Sequence, residues 1–98
     1  MGSRIREVFA RAKSEDRAVL VAYLPIGYPT VETSIEAMKA VVAAGADMVE
    51  IGIPYSDPLM DGPVIQNAAN VALTGGVRLR DTFRAAAAVT EAGEWPRR

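Results

Sequence analysis

Glu50 lies within Met48-Val49-Glu50-Ile51-Gly52-Ile53, a run otherwise free of charge. Strand alternation sets Val49, Ile51 and Ile53 on one face and Met48, Glu50 and Gly52 on the other. The first set suits packing under helices. The second places a carboxyl beside a glycine, which leaves space next to it. Burial there raises a carboxyl pKa and favours a group that both gives and takes a proton. The alternative is an edge-strand glutamate pointing into water. Asp57 and Asp61 follow in Pro54-Tyr55-Ser56-Asp57-Pro58-Leu59-Met60-Asp61-Gly62-Pro63, a loop stiffened by three prolines. A carboxylate fixed at that loop accepts a hydrogen bond from a ligand N–H or holds a developing positive charge. Asp61 equally suits the N-terminus of the next helix, and Asp57 before Pro58 equally suits an ordinary turn. The chain has no His and no Cys, which excludes disulfides and thiolate metal sites and leaves acid–base work to carboxylates.

Other residues carry weaker signals. Tyr23 shares the strand parity of Val19 and Val21, and either lines a pocket or joins the core with its hydroxyl satisfied. Gly75-Gly76 follows no strand and precedes no Lys-Ser/Thr, so it reads as a helix stop rather than a phosphate cradle. Gly27 belongs to no G-x-G-x-x-G. Arg78, Arg80 and Arg84 read as a solvated helix face, with an anion contact as the alternative.

The elements that must position these residues are legible from periodicity. Ser3 is a plausible N-cap for a short amphipathic helix over 4–13, with Ile5, Val8, Phe9 and Ala12 at helical spacing. Ala18-Val19-Leu20-Val21-Ala22-Tyr23-Leu24, stopped by Pro25, suits a parallel strand covered on both faces. Pro25, Gly27 and Pro29 punctuate a loop. Thr30 caps a helix carrying Val31, Ile35, Met38 and Val42, stopped at Gly45. A second strand spans Met48–Ile53, which completes a unit of βαβ size. Pro63 opens a further helix burying Ile65, Ala68, Ala69 and Ala72 and ending at Gly75-Gly76. A last helix over 78–92 presents Leu79, Phe83, Ala87 and Thr90 on one side.

Ninety-eight residues allow one small domain or a piece of a larger one. Half the residues are hydrophobic and 23% are charged, which opposes intrinsic disorder. Eleven bases against 12 acids give a net charge of -1, without the basic face that nucleic-acid binding needs. No apolar run reaches the ~18 residues of a membrane span, and no secretory leader opens the chain. A cytoplasmic location is the expectation. Two parallel strands do not make a self-sufficient sheet, and a (β/α)8 barrel takes ~250 residues. The ending Glu94-Trp95-Pro96-Arg97-Arg98 falls where a third apolar strand is due. The pattern predicts a single unit over 1–98, an N-terminal helix and the first two βα units of a (β/α)8 TIM barrel, incomplete before the third strand.

The stretch from Ala43 to Gln66, with its Glu50-Ile51-Gly52, Tyr55-Ser56-Asp57-Pro58 and Asp61-Gly62-Pro63, closely resembles the signature of the tryptophan synthase alpha chain family. Tyr23-Leu24-Pro25-Ile26-Gly27-Tyr28-Pro29 resembles that family's first strand and loop, and the likeness runs from about residue 4 to about residue 92. It implies a lyase that cleaves indole-3-glycerol phosphate to indole and glyceraldehyde 3-phosphate by a retro-aldol reaction, without cofactor or metal. By position, Glu50 corresponds to the catalytic acid–base and Asp61 to the carboxylate that binds the indole N–H. Tyr23 corresponds to the aromatic wall of the indole pocket. The loop from Pro54 through Asp57 to Asp61 corresponds to the segment that meets the tryptophan synthase beta chain. Met60 departs from the small residue usual at its position, and the family's phosphate-binding loops have no counterpart in these residues. The rival expectation is a non-catalytic fragment that folds or self-associates through open strand edges. A different phosphate-handling barrel is a third, which the Ser56-Asp57-Pro58 to Asp61-Gly62-Pro63 motif opposes.

Overall fold

The computed structural model describes residues 3–55 and 61–94. In chain order it contains α1 (Ser3–Ser14), β1 (Val21–Pro25), α2 (Val31–Ala43), β2 (Met48–Gly52), α3 (Pro63–Thr74) and α4 (Leu79–Glu94). Every element expected from periodicity is present, with ends moved by at most three residues.

The local reasons are visible at the ends. Thr30 Oγ1 accepts the Thr33 N–H at 3.1 Å and caps α2, while Glu32 sits in its first turn, where the helix dipole favours an anion. Gly45 follows α2 at φ +123°, the left-handed conformation a C-terminal stop requires. Pro63 occupies the first turn of α3, and Gly75 caps its end. At α4, Asp81 reaches back to accept the Arg78 N–H at 2.8 Å, the reciprocal half of a capping box.

The two strands pair in parallel, with Val21 opposite Met48, Tyr23 opposite Glu50 and Pro25 opposite Gly52. β1 therefore begins at Val21 rather than Ala18, because the partner ladder starts only at Met48. It runs through Pro25 rather than stopping before it. Asp47 ties the entrance of the sheet: its Oδ2 accepts the Leu20 N–H at 2.8 Å and Arg17 Nη1 at 2.9 Å.

Helices α2 and α4 pack on each other and cover one face of the sheet. Ile26, Ile35, Met38 and Ala85 form the buried centre, flanked by Leu24, Val49, Ile51 and Val89. Ile26 and Met38 are fully enclosed, so a residue of the β1–α2 loop, and not only the helix stripe, anchors the core. The expectation that both strands are covered on both faces is corrected. Val21 and Tyr23 on β1 and Glu50 on β2 are exposed, since the helices lie on the side of Leu24, Val49 and Ile51. Ile53, assigned to that covered side, is exposed just past the end of β2.

Two helix faces also depart from expectation. In α1 only Ala12 is buried, whereas Ile5 and Phe9 stand exposed. In α4 the side bearing Leu79 and Phe83 is 61% and 67% exposed. Ala85 faces inward instead, its small side chain allowing α2 to approach closely.

Candidate active site

Three of the sequence-selected residues meet on the open face of the sheet. The register sets Tyr23 directly across from Glu50. Asp61, partly buried, stands two residues before α3 and close enough that its charge acts on Tyr23.

The seat of Tyr23 is explicit. A Cβ built on Gly52 would overlap the Tyr23 hydroxyl and lie 2.6 Å from its Cζ and 3.0 Å from its Cε2. The ring thus leans along the strand direction and rests on the bare backbone of Gly52. The space beside Gly52, expected to stay open next to Glu50, is filled by Tyr23. This also decides between the two readings of the tyrosine. Tyr23 is 43% exposed and belongs to the site face, not to the core under the helices. Burial of the hydroxyl end over Gly52 raises its pKa first, and the negative fields of Asp61 and Glu50 raise it further, with Tyr55 adding to them. The phenol keeps its proton in the neutral range, within the negative fields of two carboxylates.

Glu50 itself is exposed. Its expected burial is not supplied by this chain, because the helices cover only the opposite face. Its side chain is on the predicted face and beside the predicted glycine, in the solvated setting of the alternative reading.

Asp61 does not cap α3. Gly62 takes that position without a side-chain bond, and the Asp61 charge acts on Tyr23. The Asp61 backbone carbonyl instead accepts Gln66 Nε2 at 2.6 Å. Gln66 entered the sequence reading only as the last residue of a motif. A polar residue one turn into a helix that opens Asp-Gly-Pro is the signal that points to such a contact. Pro54 is partly buried and Tyr55 exposed at the exit of β2, while Asp57 and Met60 lie outside the described residues. Arg84, expected on a solvated face, donates from Nη2 to both Glu32 oxygens at 2.9 and 3.1 Å and so bridges α4 to α2. Among the described residues, no three His, Cys, Asp or Glu side chains gather into a metal site. No helix among the described residues is long and apolar enough to cross a membrane.

Parallel strands each followed by helices, with polar groups toward the carboxyl ends of the strands, define an α/β chain built of βα units. The profile of the tryptophan synthase alpha chain family matches residues 9–96. The alpha chain of Salinispora tropica is 59% identical over 91 residues, covering 93% of this chain and 34% of its own length. That of Mycobacterium avium is 54% identical over the same extent, again 93% and 34%. A crystal structure of tryptophan synthase from M. tuberculosis in its aminoacrylate-bound form superposes with a TM-score of 0.89 at 51% identity, covering 92% of this chain and 37% of that one. The tryptophan synthase alpha subunit of Legionella pneumophila str. Paris gives 0.83 at 33% identity, covering 90% and 34%. This chain belongs to the tryptophan synthase alpha chain family. It spans about a third of the length of the relatives it matches.

Proposed function

We propose that the open face carrying Tyr23, Glu50 and Asp61 is part of a site for retro-aldol cleavage of indole-3-glycerol phosphate in tryptophan biosynthesis, a cytoplasmic reaction. The observation that supports this reading most is the pairing of Tyr23 with Glu50 across the strands, with Asp61 near enough to act on the same tyrosine. The chemistry follows from two carboxyl groups with different tasks. Glu50 delivers a proton to the indole ring carbon that bears the glycerol side chain. Asp61 accepts the indole N–H and offsets the positive charge that then develops on the ring nitrogen. The Glu50 carboxylate left by that transfer takes the proton of the adjacent side-chain hydroxyl, which becomes a carbonyl as the carbon–carbon bond breaks. The bonding pair returns to the ring, releasing indole and glyceraldehyde 3-phosphate. Tyr23 forms one wall of the indole pocket. No step needs a cofactor or metal. Pro54 and Asp57 belong to the segment that meets a tryptophan synthase beta chain.

The exposure of Glu50, Tyr23 and Val21 favours a second reading for the 98 residues by themselves, a non-catalytic module that associates through its open strands. Indole release from indole-3-glycerol phosphate separates the two, measured for this chain beside Glu50→Gln, with and without added beta chain. Release that disappears in Glu50→Gln supports the lyase reading. Release no greater than that of Glu50→Gln supports the module.

A further inference from the structure

Asp61 has to stand at a fixed place relative to Tyr23, yet it ends a loop and supplies no cap to the helix that follows. What holds it is α3. Gln66 makes two contacts with the loop's last residues. Its side-chain Nε2 donates to the Asp61 carbonyl at 2.6 Å, and its backbone N–H donates to the Gly62 carbonyl at 2.9 Å. A carbonyl only accepts, so the amide must turn its nitrogen toward Asp61. The contact is partly buried, where an unmade hydrogen bond is costly. Helix α3 is in turn registered on the strand layer. Ala68, Ala69 and Ala72 are buried. A Cβ on Gly27 would come within 2.8 Å of Ala72 Cβ, so the loop leaving β1 rests directly on the helix. Helix α3 thus joins the two sides: Ala72 meets Gly27 of the loop after β1, and Gln66, earlier on the same helix, holds the Asp61 carbonyl.

We propose that Gln66 is a positioning residue, whose side-chain amide locks the Asp61 carbonyl onto α3 and thereby aims the Asp61 carboxylate at the site face. The proposal rests on the assignment of Asp61 to the indole site, and its test separates the two. The 98-residue chain with Tyr28→Phe and Tyr55→Phe leaves Tyr23 as the only phenol, so its ultraviolet titration reports the nearby carboxylates. Asp61→Asn lowers the Tyr23 midpoint. Gln66→Met, similar in length but without a donor, lowers it too while helix content by circular dichroism is kept, and the double variant goes no lower than Asp61→Asn alone. An unchanged midpoint in Gln66→Met, or fully additive shifts, overturns the proposal. Hydrogen exchange of the unaltered chain judges the contact without any variant. The Gln66 side-chain amide exchanges up to about tenfold more slowly than that of exposed Asn67, and equal rates overturn the proposal. If Asp61→Asn leaves Tyr23 unmoved, the placement of Asp61 in the site fails, while the exchange result still decides the Gln66 contact.

Discussion

Tyr23 lies within the fields of both carboxylates, a relation that strand alternation alone does not predict. Its ring occupies the volume that a side chain at position 52 would need, so Gly52 serves the site by what it lacks. Gly52→Ala forces the ring from its seat. The expected outcome is a Tyr23 titration midpoint closer to that of a free phenol, measured by tyrosinate absorbance. Glu50→Gln lowers the same midpoint by removing one of the negative fields that hold it up. The sign of the linkage follows. A phenol whose folded pKa is raised stabilises the fold fully below its unfolded pKa of about 10 and loses that contribution as pH rises through the folded value. Stability toward urea therefore declines on going above about pH 10, and the decline is smaller in Tyr23→Phe.

At the level of elements, the site depends on packing that lies beneath it. Met38 on α2 is fully enclosed among residues of α2, α4 and the β1–α2 loop, and Met38→Ala is expected to cost about 2–4 kcal/mol in denaturant unfolding. Gly27 combines φ +97° with contact distances of 2.8 Å to Ala72 Cβ and 3.0 Å to Val77 Cβ for an added methyl. Gly27→Ala meets both a left-handed backbone and an occupied volume, and is expected to cost about 1–3 kcal/mol. Because Gly27 seats the β1–α2 loop on α3, the same variant also perturbs Asp61, visible as a change in the Tyr23 titration. The Asp47 carboxylate, joining the Leu20 N–H to Arg17, is the clamp at the other end of the strands. Asp47→Ala is expected to cost about 1 kcal/mol, mostly through the lost backbone acceptor.

Across the whole molecule, one face of a two-stranded sheet is covered and the other is open. Val21 and Tyr23 are exposed there, and Leu20 is exposed just ahead of β1. Each strand has one described neighbour, which leaves its outer edge free among the described residues. Unpaired edges next to exposed apolar side chains recruit further strands. The chain is therefore expected to sediment above its 10.4 kDa monomer mass and to shift toward monomer in Val21→Lys. A monomer unfolding in one cooperative transition counts against this.

Strand and helix order and the Thr30 cap were legible because each rests on local chemistry, whereas the residue pattern left Tyr23, Glu50 and Asp61 each with a purely structural alternative, and the resemblance to the family is what implied their roles. An apolar run stopped by a proline, a threonine ahead of a helical stripe and a charge within an uncharged strand all declare themselves within a few residues. Burial was not legible to the same degree. A β-strand displays two faces, and only the placement of α2 and α4 decides that Val49 and Ile51 are covered while Glu50 is left in water. Likewise Leu79 and Phe83 obey helical spacing, yet Ala85 faces inward because close helix approach selects the small side chain. Tyr23 over Gly52 and Gln66 on the Asp61 carbonyl belong to tertiary structure for the same reason. Each depends on where two backbones lie relative to one another in space, a distance that local sequence pattern does not encode.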